Sequence, residues 1–332
     1  MRLLIVLPGA LGDVVRGLPL LERLRHGLPA AHLAWLVESP SAPLLAGHPW
    51  LDAVHVLERR GGVHALWRAA RALRRSRYDV ALDLGRGAKS AALVRASGAP
   101  RRVGLARADA REGSWLAATE HLPVQGVERS KLEQFLAFAD RLEVPPRPIA
   151  FGLAPSEEER AAAAALLQGL PEPLVVASLG SSCPSRRWLP ERTAAVLDVL
   201  ASVHAASIVL TGVRDDAAFA GAVVDRMRTR SHNLVGRTSL RELLAVLARA
   251  RVVLGPDSGT LHLAAALRVP VVSLWGATSA ARSTPWGAER GVVQGHAACV
   301  PCFLRTCPIG RVCMQSITTD AVLAAVREAL AA

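Results

Sequence analysis

The first chemical question comes from an aspartate near the front of the chain. The apolar run at positions 3–7 stops at Pro8-Gly9, and Asp13 follows in "LPGALGDVVRG", where a helix should start. A carboxylate there can be a helix-end charge, a nucleotide contact or a catalytic base. A second group lies far along the chain in "VVLGPDSGTLHLAAAL", positions 252–267. A buried strand passes through a glycine-containing turn into a helix, which leaves backbone N–H groups at the positive helix end. A phosphate suits that position. Ser258 and Thr260 add hydroxyl donors, Gly259 allows close backbone approach, and Asp257 and His262 flank the turn. The ordinary alternative is an N-cap at Asp257 or Ser258 and a helix histidine.

A third group is "LGSSCPSRRWLPERT", positions 179–193. Gly180, Ser181 and Ser182 make a polar loop, and Arg186 and Arg187 carry planar forks that suit a diphosphate. A solvated basic turn is the bland reading, with Trp188 as packing. The last group is Cys299-x2-Cys302-x4-Cys307-x5-Cys313. Four thiols at this spacing suit a structural metal or a reduced tether, and the spacing matches neither the two-knuckle zinc pattern nor a common ferredoxin run. Cys183 stands apart and reads as a small loop residue.

Two nucleotide signatures are missing. There is no GxxxxGK[ST] loop, and Gly9 and Gly12 do not make GxGxxG, although Glu38 stands near the position of a ribose-binding acid. A nucleotide-dependent dehydrogenase is therefore disfavoured.

These groups need a scaffold. The chain has 332 residues, enough for two domains, and is 51% hydrophobic and 20% charged, a globular composition. The net charge is +12, and Lys89 and Lys131 are the only lysines among 40 basic residues. Such an excess suits nucleotide phosphates, nucleic acid or an acidic membrane surface. The arginines are spread along the chain and aromatics do not alternate with them, which argues against a nucleic-acid binder. The N-terminal apolar stretch is too short and too broken for a signal peptide, and no stretch approaches 18 apolar residues. A cytoplasmic protein is expected.

Strand-like segments ("RLLIVLP", "AHLAWLVE", "AVHVLE", "YDVALDLG") alternate with helical ones, which predicts parallel sheets with both faces covered. The Pro-rich "LEVPPRPIAFGLAPSEEE" breaks the pattern and reads as the domain junction, ending in a helix that Ser156 begins. The alternation then restarts at "PLVVASLG" and runs to a last helix, "TDAVLAAVREALAA". Ligands in such sheets bind at the carboxyl ends of the strands, where the topology switches.

Four segments, in order, resemble a known family: "LGDVVRGLP", "YDVALDLGRGAKSA", "GRTSLRELLAVLARARVVLGPDSGTLHLAAALRVPVVSLWGATS" and "CVPCFLRTCPIGRVCM". The chain is similar over nearly its whole length to glycosyltransferase family 9, the ADP-heptose:lipopolysaccharide heptosyltransferases, and its cysteine-bearing end resembles the heptosyltransferase II type. The resemblance implies an α/β GT-B fold: two Rossmann-like, doubly wound domains facing an inter-domain cleft. An acceptor domain is expected over 1–150, with the last helix, about 318–332, packing back on it. A nucleotide-sugar domain is expected over 151–317, with the cysteine-rich segment at 299–313.

The resemblance also implies roles. Asp13 matches the candidate base of an inverting, metal-independent transfer. Asp257, Ser258, Gly259 and His262 match the turn that holds the donor diphosphate and sugar, joined by Thr260, Ser181 and Ser182. Arg186 and Arg187 stand where the family's loop has a phosphate-binding Lys, Ser279 stands where an Asp is common, and Thr238 matches a segment lining the adenine pocket. Gly12, Arg16, Arg86 and Lys89 are candidate acceptor contacts, and with Arg107 and Arg111 they suit an anionic lipid-linked saccharide. The expected partners are ADP-heptose and that acceptor, at the inner membrane's cytoplasmic face, with no required cofactor, no nucleic acid and a monomeric chain. Transfer of another nucleotide sugar, or a non-catalytic sugar-nucleotide-binding homologue, are the alternatives.

Overall fold

Parallel strands buried on both faces must be apolar along their whole length. β1 (Arg2–Val6, RLLIV) and β2 (His32–Glu38, HLAWLVE) meet that demand, each with only its first residue partly exposed. The computed structural model describes residues 1–126 and 128–331. The chain divides into two compact units, Met1–Gly152 and Leu153–Ala332.

In the first unit β1 and β2 join β3 (Ala53–Leu57), β4 (Val80–Asp83), β5 (Arg101–Gly104) and β6 (Glu120–His121) in the order β3-β2-β1-β4-β5-β6, all parallel. The second unit has β7 (Leu174–Ser178), β8 (Ser207–Thr211), β9 (Ser231–Asn233), β10 (Val252–Pro256), β11 (Val271–Trp275) and β12 (Val292–Gln294). Their order, β9-β8-β7-β10-β11-β12, repeats that of the first unit strand for strand, again all parallel. Both units are thus doubly wound and Rossmann-like, the α/β pair expected of a GT-B fold. Each has its topological switch between its first and fourth strands, where a crevice opens at the carboxyl ends.

Local chemistry explains how the chain enters these elements. Trp35 is fully buried on β2, and a Cβ at Gly17 of the helix Leu11–Gly27 would come within 2.7 Å of its ring, so glycine lets that helix lie close to the sheet. At the junction, the Glu159 N–H donates to Ser156 Oγ (3.2 Å) and the Ser156 N–H to the Glu159 carboxylate (2.8 Å), a reciprocal cap on the helix Glu157–Leu166.

The last helix runs over Thr319–Ala331. Val322, Leu323 and Val326 belong to the core of the second unit, beside Leu197, Leu200, Leu254 and Val272. The helix packs on β10, β11, β12 and the helix Pro190–Val203, within the second unit. Its apolar stripe is buried where that sheet would otherwise expose Val272 and Leu274. Position 332, the end of the expected helix, lies outside the described residues. The expected strand "NLVG" ends earlier, at Asn233, because the chain turns at Gly236, whose φ is +69°.

Candidate active site

The loop after β1 and the loop after β4 meet at the first unit's switch point. Together with the helix Lys131–Arg141 they line a cavity of about 290 Å³. Asp13, in the first turn of the helix Leu11–Gly27, is on its wall. Lys131 Nζ donates to Asp13 Oδ1 at 2.7 Å, and Arg16 Nη2 is 3.3 Å from the same oxygen. Both side chains of the Lys131–Asp13 pair are about one-fifth exposed, so the pair is partly shielded from water and open to a ligand. Arg86, Lys89, Glu112 and Gln134 add polar groups, and Phe135 and Leu105 add apolar wall.

Both lysines of the chain line this one cavity. Lys89 is held by Glu38, at the carboxyl end of β2, with Nζ–Oε1 at 2.8 Å. Glu38 also meets Arg59 at 3.4 Å, so it serves as a basic-group anchor rather than a ribose contact. Arg86 donates through Nε to the Asp109 carbonyl (2.6 Å), and the Glu112 carboxylate accepts from the Ala88 N–H (2.9 Å) at the start of the helix Ala88–Ser97. Of the four acceptor candidates, Arg86 and Lys89 line the cavity. Gly12 and Arg16 do not: both are buried within the helix Leu11–Gly27.

Beneath this wall, Asp83 ends β4 and is almost fully buried. Burial pushes its carboxyl up to about 7, against the Ser90 hydroxyl and the Gly85 N–H, which favour the anion. The Gly85 N–H donates to Asp83 Oδ1 at 3.1 Å, and a Cβ at Gly85 would collide with Ser90 Oγ, so glycine is required there.

The second unit gathers its groups at the carboxyl ends of adjacent strands. Asp257 follows β10 and is buried. Its Oδ2 accepts from Thr278 Oγ1 (2.9 Å), after β11, and pairs with Arg186 Nη1 (3.0 Å), after β7. Its carbonyl accepts from Ser181 Oγ (3.1 Å). Ser258 occupies the N-cap position of the helix Gly259–Ala266 without a side-chain cap bond; its hydroxyl is instead 3.5 Å from that of Ser178. Thr260 is in the first turn of this helix and His262 is buried one turn in. Gly255 permits β10 to lie against β7, because a Cβ there would collide with the Ser178 carbonyl oxygen. Arg187 pairs with Asp216, after β8, at 2.5 Å. Ser182 is exposed, and Thr238 is half-buried in the loop after β9, one residue before the cap Ser239 of the helix Leu240–Ala248.

The cysteines Cys299, Cys302, Cys307 and Cys313 are unbridged. Among the described residues no three His, Cys, Asp or Glu side chains are arranged to hold a metal ion. Cys313 is buried in the apolar core, where burial raises its thiol, while Cys299 is exposed. What the segment does is clamp the arginine loop. Ser185 Oγ donates to the Leu304 carbonyl (2.6 Å) and Arg311 Nη1 to the Arg187 carbonyl (2.8 Å), while the Phe303 N–H reaches the Ala277 carbonyl (2.7 Å) beside Thr278.

Sequence reasoning did not assign Lys131, Thr278, Asp216 or Asp83. A signal existed for Lys131: it is one of two lysines in a chain that otherwise uses arginine.

The model of glycosyltransferase family 9 (heptosyltransferase) matches residues 66–313. The chain belongs to this family. Lipopolysaccharide heptosyltransferase 1 of Pseudomonas aeruginosa is 29% identical over 320 residues, covering 92% of this chain and 87% of that one. Lipopolysaccharide core heptosyltransferase OpsX of Haemophilus influenzae is 25% identical over 291 residues, covering 86% and 82%. Among solved structures, the ADP-heptose lps heptosyltransferase II of E. coli has a similar fold, with a TM-score of 0.78 at 23% identity over 100% of this chain and 99% of that one. The family read from the motifs is the family matched. In this family 9 glycosyltransferase both polar clusters lie at topological switch points, as the sheet rule requires.

Proposed function

We propose that this family 9 enzyme transfers heptose from ADP-heptose to the inner core of lipopolysaccharide, with inversion at the anomeric carbon and Asp13 as the base. The observation that carries the reading is the carboxylate of Asp13 on the wall of the first unit's cavity, held by Lys131 at 2.7 Å. A sugar hydroxyl is a poor nucleophile until a base takes its proton. Here the acceptor hydroxyl gives its proton to Asp13 as its oxygen bonds to the anomeric carbon. The bond from that carbon to the diphosphate breaks, and its electron pair leaves with ADP. One carboxylate suffices, since no glycosyl-enzyme intermediate forms.

The departing diphosphate needs positive charge. Arg186, the hydroxyls of Ser181, Ser258 and Thr260, and the amino end of the helix Gly259–Ala266 supply it without a metal ion. Arg186 is paired with Asp257 in this structure and would exchange that carboxylate for phosphate oxygens as the donor binds. Arg187, Thr238, Ser182, Gly259 and His262 complete the donor side, and Arg86 and Lys89 meet an anionic acceptor. The names of the relatives support heptose and the lipopolysaccharide core. The enzyme would work as a monomer at the cytoplasmic face of the inner membrane. No helix of the described residues is long and apolar enough to cross a membrane.

Turnover of ADP-heptose with heptose-free core acceptors tests the reading. Release of ADP that depends on the acceptor is the expected result. Turnover with a UDP or GDP sugar instead would leave a family 9 transferase of another donor, and stabilisation by NAD but not ADP would end the transferase reading.

A further inference from the structure

The helix Gly62–Arg75 presents an exposed outer face. Its inner stripe, Ala65, Ala69 and Leu73, is buried in the first unit's core. Four-residue spacing puts Val63, Trp67 and Arg71 on the opposite side. Val63 is 80% exposed and Trp67 59% exposed. The Arg71 guanidinium lies over the Trp67 ring at 5.3 Å, which holds the indole outward within a basic setting. Between positions 59 and 77 the chain carries seven arginines and no acidic residue. Of these, among the described residues, only Arg59 takes part in an ion pair, with Glu38 at 3.4 Å.

We infer that this outer face docks the enzyme on an anionic lipid bilayer. A helix with arginines around one outward tryptophan is built to lie in a membrane interface: the indole enters the headgroup layer and the guanidinium groups meet lipid phosphates. Charge complementarity selects the occupant, since each basic residue near an anionic bilayer adds attraction. Single-stranded nucleic acid is the poorer fit, because it needs several stacking aromatics along a groove, and this is the convex face of one helix with one tryptophan. The inference deepens the transferase reading, whose acceptor is lipid-linked, but vesicle binding needs no turnover. A chain that failed to transfer heptose would still be informative here.

The test is co-sedimentation of the full chain with vesicles of phosphatidylglycerol and phosphatidylcholine, against phosphatidylcholine alone. The expected result is binding to the anionic vesicles that weakens as salt rises. The triple variant Arg68→Glu, Arg71→Glu, Arg75→Glu should lose affinity for them by about tenfold or more. Trp67→Ala should lose several-fold, and both should keep the wild-type Tm and far-UV circular dichroism. Arg74 is left intact because its guanidinium packs over Gly98 at the end of the helix Ala88–Ser97. Anionic-vesicle binding unchanged in the triple variant would overturn the inference. So would binding of single-stranded RNA, through these same residues, in preference to the vesicles.

Discussion

Lys131 Nζ lies 2.7 Å from Asp13 Oδ1, joining the first turn of the helix Leu11–Gly27 to the first residue of the helix Lys131–Arg141. The two residues are 118 positions apart in the chain. In the transferase reading Asp13 is the base, and Lys131 positions it. Lys131→Met should therefore lower kcat by on the order of tenfold to a hundredfold, the scale of a misplaced catalytic group. KM for the donor should hold, and Lys131→Arg should restore part of the loss because it keeps the charge. Equal changes in kcat and donor KM, with no rescue by Arg, would make the pair a general prop of the fold.

On the second unit, Asp257 depends on Thr278 and Arg186. Losing a hydrogen bond to a buried charged group costs about 1.5–3 kcal/mol. Thr278→Val should lower Tm and weaken ADP binding together, since it releases the carboxylate that anchors the turn. Arg186→Ala should separate phosphate from base recognition: titration calorimetry should show ADP weakened by about tenfold or more, through loss of a charge-assisted contact, and adenosine unchanged. Equal weakening of both ligands would remove Arg186 from the diphosphate site.

Asp83 gives the fold a pH signature. Its folded-state carboxyl is raised from 3.8 to about 7. Between those values the folded protein binds the proton and the unfolded chain releases it, so stability falls as pH rises, by about 1.4 kcal/mol per unit in that window. Asp83→Asn removes the ionisation while keeping the shape. Its Tm should exceed that of the wild type by a margin that grows from pH 5 to pH 8. A margin constant over that range would mean that Asp83 ionises in the folded protein as it does in water.

Much of this was legible from local pattern. Strands such as "RLLIV" and "VVLGP" are continuous apolar runs bounded by glycine and proline, and each polar loop follows one, so the doubly wound sheets and the Asp13 and Asp257 turns could be read directly. Partners chosen by the fold could not. The Lys131–Asp13 and Thr278–Asp257 contacts come from loops that only the sheet order makes neighbours. The last helix shows its apolar stripe in sequence, but the stripe does not say which sheet it covers; Val322 and Val326 cover the second. The cysteines are close in sequence, yet Cys313 went into the core and Cys299 stayed at the surface, because a short spacing does not make side chains converge.

The central claim, Asp13 as the base, is tested most directly by comparing turnover and ADP affinity in Asp13→Ala and Asp13→Asn. The account predicts that kcat for acceptor-dependent ADP release falls by about 10²–10⁴ in both variants. ADP affinity should stay within a factor of about two, because ground-state donor binding does not use the base. Turnover close to wild type in Asp13→Asn, or a loss of ADP affinity in step with the loss of turnover, would contradict it.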